Sequence, residues 1–113
     1  MKSQRLLEGL LTKLRKEVKE AEQAVNEAKK AVEKAEKVSE AVIISLYDRL
    51  FKDVPELKNT GTADLIIMNA LDYDTDWLES EQAALDAQVM LEIANKVLKE
   101  RKELLRSVNE IYI

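Results

Sequence analysis

Neither cysteine nor histidine occurs in the 113 residues. The first absence excludes disulfides, thiol nucleophiles and thiolate metal sites. The second removes the usual general base, the commonest zinc ligand and the side chain that titrates near neutral pH. Two glycines and one proline leave little material for turns, so few and long elements are expected. Aromatics make up 4% of the chain, and no apolar run reaches the ~20 residues that a membrane-spanning helix needs. A glycine-rich phosphate loop is missing too, and Ser39 and Ser45 have no histidine with which to build a catalytic triad.

What is present is charge and helix-forming side chains. Asp, Glu, Lys and Arg supply 35% of the residues, and the abundance of Leu, Ala, Glu and Lys is that of long helices or coiled coil. At this length a single domain is expected. The opening stretch, MKSQRLLEGLLTKLRKE, is basic and leucine-rich, but Glu8 and Lys13 interrupt it. It reads as an amphipathic helix and not as a signal peptide, which makes the cytoplasm the expected location.

A seven-residue repeat is the clearest feature. EAEQAVN, EAKKAVE and KAEKVSE follow one another over residues 20 to 40. Apolar or small residues fall at 7, 11, 14, 18, 21, 25, 28, 32, 35, 39, 42 and 46, in unbroken steps of four and three. Such a register is the signature of a helix with a coiled-coil seam. Ala84, Leu91, Leu98, Leu105 and Tyr112, with Ala87, Ala94 and Val108 between them, repeat the logic in a second arm. Arg101 is the one charge on that seam, and its long stem can snorkel.

The stripe is wider than one seam. Leu10, Ala24, Ala31 and Val38 recur beside it in the first arm, and Ala83, Met90, Val97, Leu104 and Ile111 in the second. Three apolar positions in seven suit a helix that touches two neighbours. If the chain turns back near residues 57 and 58, Ala21 faces Ala94, Ala28 faces Ala87, Ala31 faces Ala84, Leu11 faces Leu104 and Leu7 faces Val108. Small residues opposite small residues let two helices approach closely.

The expected fold is therefore all-α: a long antiparallel helical hairpin, coiled-coil-like, with an alanine-rich stalk and a short third helix at the turn end. It comprises one domain over 1–113, with a helix over 3–52, a turn or loop over 53–62, a short helix over 63–73 and a long helix over 76–111. Asp53 before Pro55 starts a helical turn, Asn59 to Gly61 form the loop, and Thr62 caps the short helix. Val42, Ile43, Leu46, Tyr47, Leu50, Phe51, Leu57, Leu65, Ile66, Met68, Leu71, Tyr73, Trp77 and Leu78 are expected to build a bulkier head, with the short helix packed across the hairpin end.

One stretch raises the question of metal. Asp72, Asp74 and Asp76 match the first, third and fifth ligand positions of an EF-hand loop, but Trp77 stands where that loop needs Gly and Ala83 where it needs Glu. Asp76 and Glu79 have a spacing like that of a capping box, so a helix start is the better reading and no metal is expected. Glu-x-x-His pairs of di-iron bundles cannot exist here. Glu17/Glu20, Glu33/Glu36 and Glu100/Glu103 have the Glu-x-x-Glu spacing of the all-α nucleotide pyrophosphohydrolases, but no Glu is followed by Asp three residues on. These pairs read as a solvated helix face. No catalytic residue, no cofactor and no enzymatic activity are expected.

Charge is unevenly placed. Residues 1–53 carry 12 basic and 10 acidic side chains, and residues 54–113 carry 6 and 12, which gives +2 and −6 and together the net −4. Between Lys58 and Lys96 there is no Lys or Arg. Asp64, Asp72, Asp74, Asp76, Glu79, Glu81 and Asp86 form the expected acidic patch, unless Lys29, Lys30, Lys34 and Lys37 neutralise it. Such a surface repels nucleic acid and attracts a basic protein. Two functions follow as expectations. One is an assembly module that homodimerises into a helical bundle through Met90, Val97, Leu104, Val108 and Ile111, with no membrane contact. The other is a small acidic binding protein or inhibitor, of the phage or plasmid type, that docks its 64–92 surface on a basic partner.

Overall fold

The computed structural model describes residues 2–112, and side chains over 5–111. The elements are α1 (Lys2–Asp53), a single 3-10 turn (Pro55–Leu57), α2 (Gly61–Leu71) and α3 (Thr75–Tyr112), with no strand among the described residues. Among the described residues no helix is long and apolar enough to cross a membrane. The chain packs as two units. Unit 1 joins residues 1–30 to 88–113, and unit 2 comprises residues 31–87.

α1 buries the side chains that the repeat singles out. Leu11, Leu14, Val18, Ala21, Val25, Val32, Ala35 and Ser39 are buried, and Leu7, Ala28, Val42 and Leu46 are half-buried. On α3, Ala87 and Val108 are buried, and Ala84, Leu91, Ala94, Leu98 and Leu105 are half-buried. Tyr112, also expected on that seam, has a side chain outside the described residues. Among the described residues no large side chain is completely enclosed. Leu11 and Leu14, 3% exposed, obtain nearly the ~1.5–3 kcal/mol of full burial, and the half-buried residues of the seam obtain less.

In unit 1 the two helices run antiparallel. Leu11 and Leu14 pack with Val108, Leu7 and Leu105 flank them, and the Arg101 guanidinium reaches the Glu17 carboxylate at 3.5 Å. In unit 2 the Ser39 hydroxyl donates to Ser80 Oγ at 3.0 Å. Both pairings differ from the expected register by about one turn. There Arg101 would have faced Leu14, and Ser80 would have faced Ala35. The physical reason is degeneracy. Sliding one heptad seam past another by three or four residues keeps apolar side chains together, so the apolar pattern does not choose between the registers. The observed register gives the two buried hydroxyls each other, whereas the alternative would set Ser80 against a methyl group.

The connections also differ in detail. Asp53 closes α1, with Val54 N–H donating to Leu50 C=O at 2.8 Å, and Val54 precedes the 3-10 turn without a side-chain cap. Asn59, not a glycine, takes the left-handed conformation at φ 62°, which its short polar side chain tolerates. Thr60, not Thr62, caps α2: its Oγ1 accepts from Ala63 N–H at 3.3 Å and donates to Leu57 C=O at 2.6 Å. Gly61 is thereby the first residue of α2 and not part of the loop. Two residues inside α2, Ala63 and Ile67, are buried.

Candidate interaction surfaces

The aspartate run serves as a helix start. Asp74 Oδ1 accepts the Trp77 backbone N–H at 2.9 Å, so Asp74 caps α3 and Asp76 lies in its first turn. This moves the cap two residues from the Asp76 that the sequence suggested, because the chain between α2 and α3 is only three residues long and Asp74 is the last of them. Among the described residues no group of three or more Asp or Glu is placed to hold a metal ion.

The other acidic residues of the expected patch all belong to unit 2. Asp64 accepts the Tyr47 hydroxyl at 2.7 Å, which ties α2 to α1. That hydrogen bond, with some loss of solvent and the Asp64 charge, pushes the Tyr47 pKa above its ordinary 10.0. Asp86 accepts from Gln82 Nε2 one turn before it at 2.9 Å. Asp72, Asp76, Glu79 and Glu81 are exposed. Arg49 lines a shallow groove of about 270 Å³ with Asp74 and Asp76. Among the described residues no ion pair engages a carboxylate of residues 64–86, so the lysines of α1 do not pair with the patch. Unit 2 holds 5 basic and 13 acidic residues, a balance of −8, and unit 1 holds 13 and 9, a balance of +4.

The expected self-association residues divide. Val108 is buried against Leu11 and Leu14 and is spent within the chain, because it belongs to the seam series of α3 with Ala87 and Ala94 and not to the flank. Met90, Val97, Leu104 and Ile111 are 39% to 75% exposed. Leu10 on α1 is exposed as well. Counted in sevens, Leu10, Glu17 and Ala24 form one series, and the Glu17–Arg101 contact sets that series beside the Met90–Ile111 series of α3. Leu6 and Ile93, both exposed, extend the same flank; they stand one step further round each helix. The opposite flank of unit 1 is polar at every position: Glu8, Arg15, Glu22 and Lys29 on α1, and Gln88, Asn95, Lys102 and Asn109 on α3. Unit 1 therefore has one apolar side and one charged side.

The head is less closed than expected. Leu65, Ile66, Met68, Tyr73 and Leu78 are exposed, not packed into a core. α2 is apolar on nearly every side, and burying Ala63 and Ile67 leaves the rest outward. The sequence signal was there in GTADLIIMNAL, whose polar side chains, Thr62, Asp64 and Asn69, are too few to make a polar solvent face. Compared with known proteins, the chain matches no family model, no curated protein and no solved structure.

Proposed function

We propose that the protein is a non-enzymatic helical assembly module that pairs with a second copy of itself through the apolar side of unit 1. The observation that supports this reading is the asymmetry of that unit. A solitary pair of helices in water has no reason to carry Leu10, Met90, Val97, Leu104 and Ile111 on one flank and only polar residues on the other. Monomers seldom expose contiguous apolar patches above a few hundred Å². Two such flanks, brought together, make a four-helix bundle.

The magnitudes make the association concentration-dependent. Each of these side chains is already partly covered, so completing its burial gains about 1 kcal/mol, roughly half the full value. About ten of them, five from each copy, gain ~10 kcal/mol, against an association cost of ~4–15 kcal/mol. Light scattering across a dilution series is the test. A mass near twice 12.9 kDa at high concentration, lost when Val97→Glu and Leu104→Glu are combined, is expected. A mass near 12.9 kDa throughout overturns the proposal.

A further inference from the structure

We infer that the outward face of α2 is a docking surface for a basic amphipathic helix of a partner protein. This goes beyond self-pairing and rests on unit 2 alone. α2 turns Leu65 and Met68 outward at 63% and 65% exposure, Ile66 flanks them, and Tyr73, just after the helix, is 87% exposed. Leu65, Met68 and Asp72 are spaced three and four residues apart, so they follow one face of the helix and continue to its end. A helix as apolar as this, with only Thr62, Asp64 and Asn69 as polar side chains, is ordinarily covered on more than one side. Here one side is covered by the chain itself, through Ala63, Ile67 and the Tyr47–Asp64 hydrogen bond.

Charge selects the occupant. Unit 2 has a balance of −8; Asp64 lies beside the apolar face, Asp72 ends it, and Asp76 and Glu79 come next in the chain at the start of α3, with no Lys or Arg in the sequence between Lys58 and Lys96. Nucleic acid and anionic lipid are repelled by such a rim. An extended peptide finds no sheet edge to join among the described residues. A second copy fits poorly, because the apolar side of unit 1 is itself set among Glu17, Glu20, Glu27 and Glu100 against Lys13 and Arg101. What remains is a helix with apolar side chains at one-turn spacing and Lys or Arg beside them, docking helix against helix. The apolar residues hold it, and the carboxylates speed its approach and reject acidic competitors.

The test uses the full chain and three synthetic peptide probes, followed by fluorescence anisotropy. The first is an amphipathic helix with leucines on one face and lysines beside them. The second has glutamates in place of the lysines. The third has the composition of the first in an order that destroys the stripe. The first is expected to bind, and to weaken several-fold between about 50 mM and about 500 mM salt. The other two are expected to bind at least roughly tenfold more weakly. Leu65→Glu with Met68→Glu, and separately Asp72→Asn with Asp76→Asn and Glu79→Gln, should each lower affinity for the first probe by roughly tenfold, with helicity by circular dichroism unchanged. Val97→Glu with Leu104→Glu should leave it intact, which separates this surface from the one proposed for self-pairing. Equal binding of all three probes, unchanged binding in both unit 2 variants, or loss of the dimer in Leu65→Glu with Met68→Glu would each overturn the inference.

Discussion

Ser39 and Ser80 are the buried polar pair of unit 2, 9% and 4% exposed. Their hydroxyls form a short chain: Ser39 Oγ donates to Ser80 Oγ at 3.0 Å, and Ser80 Oγ donates to Trp77 C=O at 2.8 Å. The two ends of this chain are not equivalent. Ser39→Ala removes one donor and leaves Ser80 bonded to Trp77, so the expected loss is about 0.5–1 kcal/mol. Ser80→Ala strands the Ser39 hydroxyl in the seam, and the expected loss is about 1–2 kcal/mol, since a serine hydroxyl can turn back to its own helix. With both replaced no polar group is left unsatisfied, and alanine is the better helix former, so the double variant should be more stable than Ser80→Ala alone. The coupling energy should be about 0.5–1.5 kcal/mol. Urea unfolding followed by circular dichroism, at one fixed protein concentration, measures all four corners of the cycle. A coupling energy indistinguishable from zero would refute the argument that this hydrogen bond stabilises the observed register. The register itself can be read by crosslinking within unit 2. Ala35→Cys with Ala84→Cys should form a disulfide faster than Ala31→Cys with Ala84→Cys, and the margin should narrow in the double alanine background.

Three further outcomes are expected. Asp74→Ala should cost about 1 kcal/mol through loss of the α3 cap, while Asp76→Ala should cost clearly less, and thermal melts of the two variants compare them directly. Leu14→Ala, at a site 3% exposed beside Leu11 and Val108, should lose about 2–4 kcal/mol in denaturant unfolding, and a loss no greater than that of Leu6→Ala would show that the seam of unit 1 is not a core. Tyr47 has a folded pKa above its unfolded value, so its contribution to holding α2 is complete below about pH 10 and is lost as pH rises through the raised value. Ultraviolet titration against Tyr47→Phe should show one phenol ionising late, and Asp64→Asn should restore it towards the ordinary range.

The seam of α1 was legible residue by residue, because steps of four and three over many turns fit one periodicity only. From Leu7 to Leu46 every position in that series is buried or half-buried. The absence of strands was legible for the same reason, as were the break near Pro55 and the break before α3. The choice among neighbouring caps was not: Thr60 and Thr62, or Asp74 and Asp76, are equally good acceptors, and only the path of the backbone decides which meets a free N–H.

Sequence periodicity alone determined which face of each long helix is buried, because a helix presents its residues in a fixed order around its axis whatever it meets. It left open what meets that face, because a heptad seam is nearly unchanged by a slide of one turn. Tertiary structure decided that. It paired Ser39 with Ser80 and Glu17 with Arg101, set Val108 against Leu11 and Leu14, and left Leu65 and Met68 outward. These outcomes depend on contacts between residues far apart in the chain, where hydrogen-bond satisfaction and the space beside α2 enter, and neither is written in the local pattern.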